Sequence, residues 1–116
     1  MFEVILFEDA TGTSPVSDFI VGLENRKLQA KIIGALEVLS EKGVALREPY
    51  SRHLGDGIFE LRCGAAGDIA RLLYFYHKGK VIVVTNGFVK KTRKTPPREI
   101  RLAKKRRDEH MARKEL

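Results

Sequence analysis

Residues 58–89 read IFELRCGAAGDIARLLYFYHKGKVIVVTNGFV. Three runs rich in aliphatic, β-branched and aromatic residues, 58–63, 69–76 and 80–89, are separated by GAAGD and by HKG. Connections this brief, polar and glycine-bearing join neighbouring strands that run in opposite directions, so the stretch predicts three adjacent antiparallel strands. Alternation in the first run sends Phe59 and Leu61 to one face and Glu60 and Arg62 to the other. One face should therefore pack on helices while the other carries charge. Arg71 stands among Ile69, Ala70, Leu72, Leu73, Tyr74 and Phe75, and a guanidinium in so apolar a run needs a reason.

Upstream, FEVILF at 2–7 reads as a first strand, followed by a loop at Thr11-Gly12-Thr13. Ser14-Pro15 has the form of an N-cap with proline at the first helical position. Val16, Phe19, Ile20 and Leu23 then recur at the spacing of one helical face, and Asn25 interrupts the helix. A second helix over 26–42 places Leu28, Ile32, Ala35, Leu36 and Leu39 on one side and ends at Gly43. The two helices read as a hairpin, and a loop containing Pro49 leads to the strands.

Downstream, Thr95-Pro96-Pro97 cannot continue a strand but suits a helix start, giving a third helix over 98–114. Its apolar residues are few, chiefly Ile100, Ala103 and Met111, so it is expected to pack by its first turns and fray at its end. The order is β-α-α-β-β-β. It predicts an α+β fold in which a helical hairpin packs on a largely antiparallel sheet of about four strands, with a basic C-terminal helix. The expectation is one domain over 1–116, with 96–114 as a helical extension.

Charge is distributed unevenly. Of the formal +7, residues 1–85 contribute 10 Lys/Arg against 11 Asp/Glu, and residues 86–116 contribute 12 against 4. A basic end on a near-neutral body is the electrostatic footprint expected for a nucleic-acid partner; the alternative for Lys104 to Lys114 is a solvated helix face. No run approaches the roughly 20 apolar residues that span a bilayer. The start lacks a signal-like pattern and Cys63 is the single cysteine, so no membrane association is expected and the cytoplasm is the expected compartment.

His53, His77 and His110 are far apart and no paired-cysteine spacing occurs, so neither a zinc site nor any other cofactor is expected. The charged strand face lacks the acidic cluster that holds magnesium in two-metal nucleases. Phosphodiester cleavage by this chain would therefore use the RNA's own 2′-hydroxyl. That route needs a proton acceptor, a cation for the phosphorane charge and a proton for the 5′ oxygen. Arginine suits the second task through its planar fork. A lysine serves as base when neighbouring cations depress its pKa, and Lys90, Lys91, Arg93 and Lys94 form such a crowd.

The strings FELR at 59–62, RLLYFY at 71–76 and GFVKKTRKTPPRE at 87–99 resemble the phage-derived Gp49-like, or HigB-type, branch of the RelE/ParE toxin superfamily, over roughly residues 2 to 105. The resemblance implies a type II toxin: a ribosome-dependent messenger RNA endonuclease acting in the 30S A site. It further implies a helix-turn-helix antitoxin of the HigA type as partner, with oligomerisation mainly through that antitoxin. Arg71 matches the strand arginine that contacts the scissile phosphate, and Arg62 a basic strand position beside the cleft. Lys90 and Lys91 fall where the family places further cations. Ile58 and Glu60 stand where RelE itself has strand lysines, which leaves the general base open.

Arg93, Lys94 and Arg98 complete the expected RNA-binding set together with His53, which is also the fallback base in a presumed loop. Arg71 has a second reading as a structural partner of Glu60, and the two roles are compatible. Two other functions stay open: a ParE-like gyrase inhibitor on the same fold, and a plain RNA- or ribosome-binding module.

Overall fold

A computed structural model describes residues 1–114; residues 115 and 116, at the end of the expected domain span, lie outside the described residues. The chain begins with β1 (Glu3–Leu6) and continues into α1 (Pro15–Val21) and α2 (Arg26–Lys42). Ser14 caps α1 by accepting the Ser17 N–H at 3.3 Å, with Pro15 in the first turn. Asn25 does more than interrupt the helices. Its Oδ1 caps α2 by accepting the Leu28 N–H at 3.0 Å, while its amide donates to the Ala65 carbonyl at 3.1 Å and to Asp68 Oδ2 at 2.9 Å. Gly43 ends α2 with φ at 49°, where a Cβ would run into the Phe2 ring, so both backbone freedom and close packing select glycine.

Four more strands follow: β2 (Ser51–Gly55), β3 (Ile58–Ala65), β4 (Asp68–His77) and β5 (Val81–Val89), then α3 (Pro97–Lys114). The sheet order is β1-β5-β4-β3-β2, with β1 parallel to β5 and every other pair antiparallel. The sheet thus has five strands rather than about four. The additional one is β2, which the sequence presents as loop; it is a short, polar edge strand paired to β3 through Ser51↔Leu61, Arg52↔Glu60 and His53↔Phe59.

Both faces of the sheet are packed. On one, Val16, Ile20, Leu28, Ile32 and Leu39 of the helical hairpin bury against Leu61, Leu72, Ile82 and Val84. On the other, Ile58, Leu73, Phe75 and Val83 form a second cluster with Phe7 and Ala103. The face expected to carry charge is therefore half covered by α3. The runs 72–76 and 81–84 are apolar without alternation, which is the mark of strands buried on both sides.

Helix α3 packs along its length and not by its first turns alone. Ala103 is fully buried, Ile100 and Met111 flank it, and His110 is buried with its ring 6.0 Å from Phe75 and 5.5 Å from His77. Arg106 and Arg113 lie over the Phe7 ring at 5.6 and 5.4 Å, their aliphatic stems adding apolar cover that a count of hydrophobic residues misses. No helix among the described residues is long and apolar enough to cross a membrane.

Cys63 lies in the first core, and burial pushes its thiol up to about 11 against the opposing pull of Arg71 and Lys31. Thiolate is the reactive form. The folded protein should therefore react with a disulfide reagent at neutral pH at least about 100-fold more slowly than the guanidinium-unfolded chain. Comparable rates in the two states would contradict the packing around Cys63.

Candidate functional site

Past the N-terminus of α3, the cationic strand residues gather on the second sheet face. Arg62 and Arg71 face each other directly across β3 and β4. Like charges in that register repel, and Glu60 resolves the conflict. Its carboxylate, 2% exposed, lies 3.3 Å from Arg71 Nε and 3.6 Å from an Arg62 terminal nitrogen. The Arg71 Nε–H does not point at the carboxylate, so the contact is an ion pair and that donor makes no hydrogen bond within the chain; the same holds for Arg62 Nε. Arg71 is further held by donating to its neighbouring Ala70 carbonyl at 3.1 Å. Across β2, Arg52 sits opposite Glu60, and Glu48 approaches both Arg52 and Arg62 at 3.9 Å.

The chain leaving β5 closes this group on one side. The Lys90 N–H donates to the Ile69 carbonyl at 2.7 Å, extending the β4–β5 ladder by one rung. Thr92 Oγ1 donates to the Lys94 carbonyl at 2.8 Å, and Thr95 Oγ1 donates to Glu60 at 2.8 Å. At the far end, Asn86 on β5 donates to the carbonyl and carboxylate of Glu99 in the first turn of α3. The segment 90–96 is thus pinned at both ends and tied to the buried carboxylate in between. It borders an open cleft of about 540 Å³ lined by Ile69, Arg71, Lys90, Lys91, Thr92 and Arg93.

Burial, then Arg71, Arg62 and Arg52, pull the Lys90 ammonium below its ordinary value, with Glu60 opposing. Burial and Arg62 likewise lower Arg71, again against Glu60, though a guanidinium stays charged throughout the working range. The cleft therefore joins a fixed cation with a lysine that releases its proton more readily than usual.

The expected residues divide clearly. Arg62, Arg71 and Lys90 come together; Lys91 and Arg93 line the cleft beside them; Lys94 is exposed in the same segment. Arg98 projects at the start of α3, 79% exposed. His53 does not join this group. It stacks on Phe59 at 4.6 Å, on the helical-hairpin side of the sheet, and its Nε2 accepts the Gly57 N–H. The tail's cations are also partly committed within the fold. Lys104 and Arg107 each lie 3.4 Å from Asp56, Arg106 donates to the Thr85 carbonyl, and Arg113 donates to the Glu8 carbonyl.

Three residues organise the cluster, and the sequence shows one role of the first. Glu60 is the partner of Arg71 that the second reading names, and beyond that it pairs with Arg62 and accepts from the Thr95 hydroxyl. Arg52 was hidden in the unrecognised edge strand. Thr95 read as a helix opener. Glu60 alternating with Arg62, opposite an arginine on the next strand, was the available signal for the first.

Among the described residues, no three His, Cys, Asp or Glu side chains come together in a way that could hold a metal ion. Chemically, the cleft offers a forked cation, a tunable amine and neighbouring exposed cations, a set suited to a phosphodiester and to moving its protons. Comparison with protein families gives a match to the model described as phage derived protein Gp49-like, over residues 18–108, from within α1 to within α3. Comparison with curated proteins gives none.

Proposed function

The chain belongs to the Gp49-like family of phage-derived proteins, and on that basis we propose that it is a toxin that cuts messenger RNA in the ribosomal A site. The observation that carries this reading is the Arg62–Arg71 pair, oriented by buried Glu60 toward a lysine with a lowered pKa. Arg71 and Arg62 hold the scissile phosphate and stabilise the charge that builds on it. Neutral Lys90 takes the proton of the 2′-hydroxyl as its oxygen bonds to phosphorus. Lys91 supplies a proton to the 5′ oxygen as that bond breaks, leaving a 2′,3′-cyclic phosphate and a 5′-hydroxyl. Arg93, Lys94 and Arg98 extend the phosphate contacts along the strand, and no resident metal or cofactor takes part. His53 lies too far round the sheet to act in this step and contributes at most an outer contact. A cytoplasmic helix-turn-helix antitoxin holds the toxin inactive and joins its copies.

Purified protein added to ribosomes programmed with a defined message, followed by primer extension, tests the reading directly. New 3′ ends are expected within the open reading frame; an intact message at stoichiometric protein overturns it.

The role of Lys90 has its own signature. Because its pKa is lowered, the neutral amine becomes available at lower pH than for an ordinary lysine. The cleavage rate should therefore climb with pH and level off below the usual 10.5. In Lys90→Arg, which keeps the charge and cannot supply the base, that rising limb should vanish. An identical profile in the variant would assign the proton transfer to another group.

A further inference from the structure

One bond at Arg71 is left unmade. Its Nε–H is buried and makes no hydrogen bond among the described residues, although Glu60 Oε1 lies 3.3 Å from that nitrogen. An arginine beside a carboxylate commonly closes on it with two parallel N–H···O bonds, and a buried donor without an acceptor is costly. The carboxylate must therefore be held out of that geometry.

The oxygen nearest Arg71 has another partner. Glu60 Oε1 accepts the Thr95 hydroxyl at 2.8 Å, while Oε2 faces a terminal nitrogen of Arg62 at 3.6 Å. Thr95 is itself fixed in place. Pro96 follows it and restricts it to extended backbone, and the Pro96 carbonyl accepts the Glu99 N–H at 3.0 Å, which ties it to the first turn of α3. Glu99 in turn accepts from Asn86 on β5. The hydroxyl thus reaches Glu60 from a helix start anchored to the sheet, independently of either arginine.

The orientation of Glu60 decides what Arg71 can offer. One terminal nitrogen of Arg71 donates to the Ala70 carbonyl at 3.1 Å. The edge formed by Nε and the other terminal nitrogen makes no hydrogen bond among the described residues, and two parallel donors are what grip a phosphate. A carboxylate bridged to that edge would occupy it.

We propose that Thr95 is a positioning residue of the cleft: its hydroxyl, by engaging Glu60 Oε1, keeps the carboxylate from bridging Arg71 at two points and leaves that edge of the guanidinium open to a phosphodiester. That the open edge serves the scissile phosphate rests on the cleavage reading; the hold on Glu60 does not. Without the hydroxyl, Glu60 closes on Arg71, and a substrate must displace a buried carboxylate before it binds.

Thr95→Val removes the hydroxyl and keeps the β-branch, which suits extended backbone before a proline. Thr95→Ser keeps the hydroxyl. In NMR spectra of isotope-labelled protein, the Arg71 Nε–H signal is identified by its loss in Arg71→Lys. In Thr95→Val it should move downfield and exchange with water at least about tenfold more slowly, because a bond to the carboxylate protects the proton. Thr95→Ser should match the wild type. On programmed ribosomes, Thr95→Val should cut about tenfold more slowly in single turnover while thermal unfolding stays cooperative. Adding Thr95→Val to Arg71→Ala should slow cleavage no further, because the threonine acts through that arginine.

An unmoved Arg71 signal in Thr95→Val, a Thr95→Ser protein that behaves as Thr95→Val does, or an equal further loss in the Arg71→Ala background would each overturn the proposal. A wild type that leaves messages intact while the Arg71 signal shifts as described would remove the cleavage reading and keep the hold of Thr95 on Glu60.

Discussion

Arg71→Ala is expected to lower the rate of ribosome-dependent cleavage by about 10³-fold, equivalent to roughly 4 kcal/mol of transition-state stabilisation. The guanidinium is 12% exposed, held by Glu60 on one side and by the Ala70 carbonyl on the other. It is therefore oriented before any substrate arrives, and pre-orientation is what gives an electrostatic contact its effect on rate. Arg71→Lys keeps the charge and loses the fork, so an intermediate loss of about 10- to 100-fold is expected. The fold should survive both, since Glu60 retains Arg62 and the Thr95 hydroxyl. Single-turnover rates on programmed ribosomes, with circular dichroism as the folding control, make the measurement. A well-folded Arg71→Ala protein that cuts at the wild-type rate would remove Arg71 from the chemistry and leave it the structural role alone.

Glu60→Leu should have the largest effect on stability. Among the described residues the carboxylate is the anion shared by Arg62 and Arg71, which oppose each other across β3 and β4, and Arg52 faces it from β2. Removing one member of a fully buried ion pair costs about 3–5 kcal/mol. Both arginines keep some contact with water, so about 2–3 kcal/mol is expected here, or a fall in Tm of roughly 10 °C. Glu60→Gln should cost less, because its amide oxygen still accepts from Thr95. The stranded cations should also make Glu60→Leu gain more thermal stability from added phosphate than the wild type does, since an ion bound only by the folded state stabilises it. A wild-type Tm, or no phosphate dependence, would mean that the arginines reorganise freely and that Glu60 does not hold them.

The strands 58–63, 69–76 and 80–89 and the helical hairpin could be read from the sequence because period, turn residues and caps agree there. Where the sequence misleads, side chains act through parts that simple hydrophobicity does not register. Strand β2 contains Ser51, Arg52, His53 and the terminal Gly55 and is flanked by Pro49 and Asp56-Gly57, so it carries turn signals rather than an apolar alternation. Only pairing with β3 makes it a strand. Helix α3 buries alanine, histidine and the stems of arginines, so its few hydrophobic residues understate its contact with the sheet.

The cleft shows the same division. Arg71 stood out because it breaks an apolar run, and Lys90 to Lys94 because they follow a strand. The anion at the centre was legible only as a partner of Arg71; that Glu60 also holds Arg62 and the Thr95 hydroxyl follows from the β3–β4 register and the path of the segment after β5.

The parallel pairing of β1 with β5 links Glu3 to Val81 and Leu6 to Val84. Strand β1 is made before the other described strands, yet its partner β5 emerges almost eighty residues later, after α1, α2 and three other strands. Contacts so distant along the chain slow folding, because the loop between them must be closed before they stabilise anything. The nascent chain therefore holds β1 unpaired until β5 has emerged. The cleft, built on β3, β4 and the segment after β5, is completed at nearly the same moment as β1 is paired. Premature termination before residue 81 would release a polypeptide with neither the strand that pairs β1 nor a cationic wall, so the order of synthesis itself delays the appearance of the finished cleft.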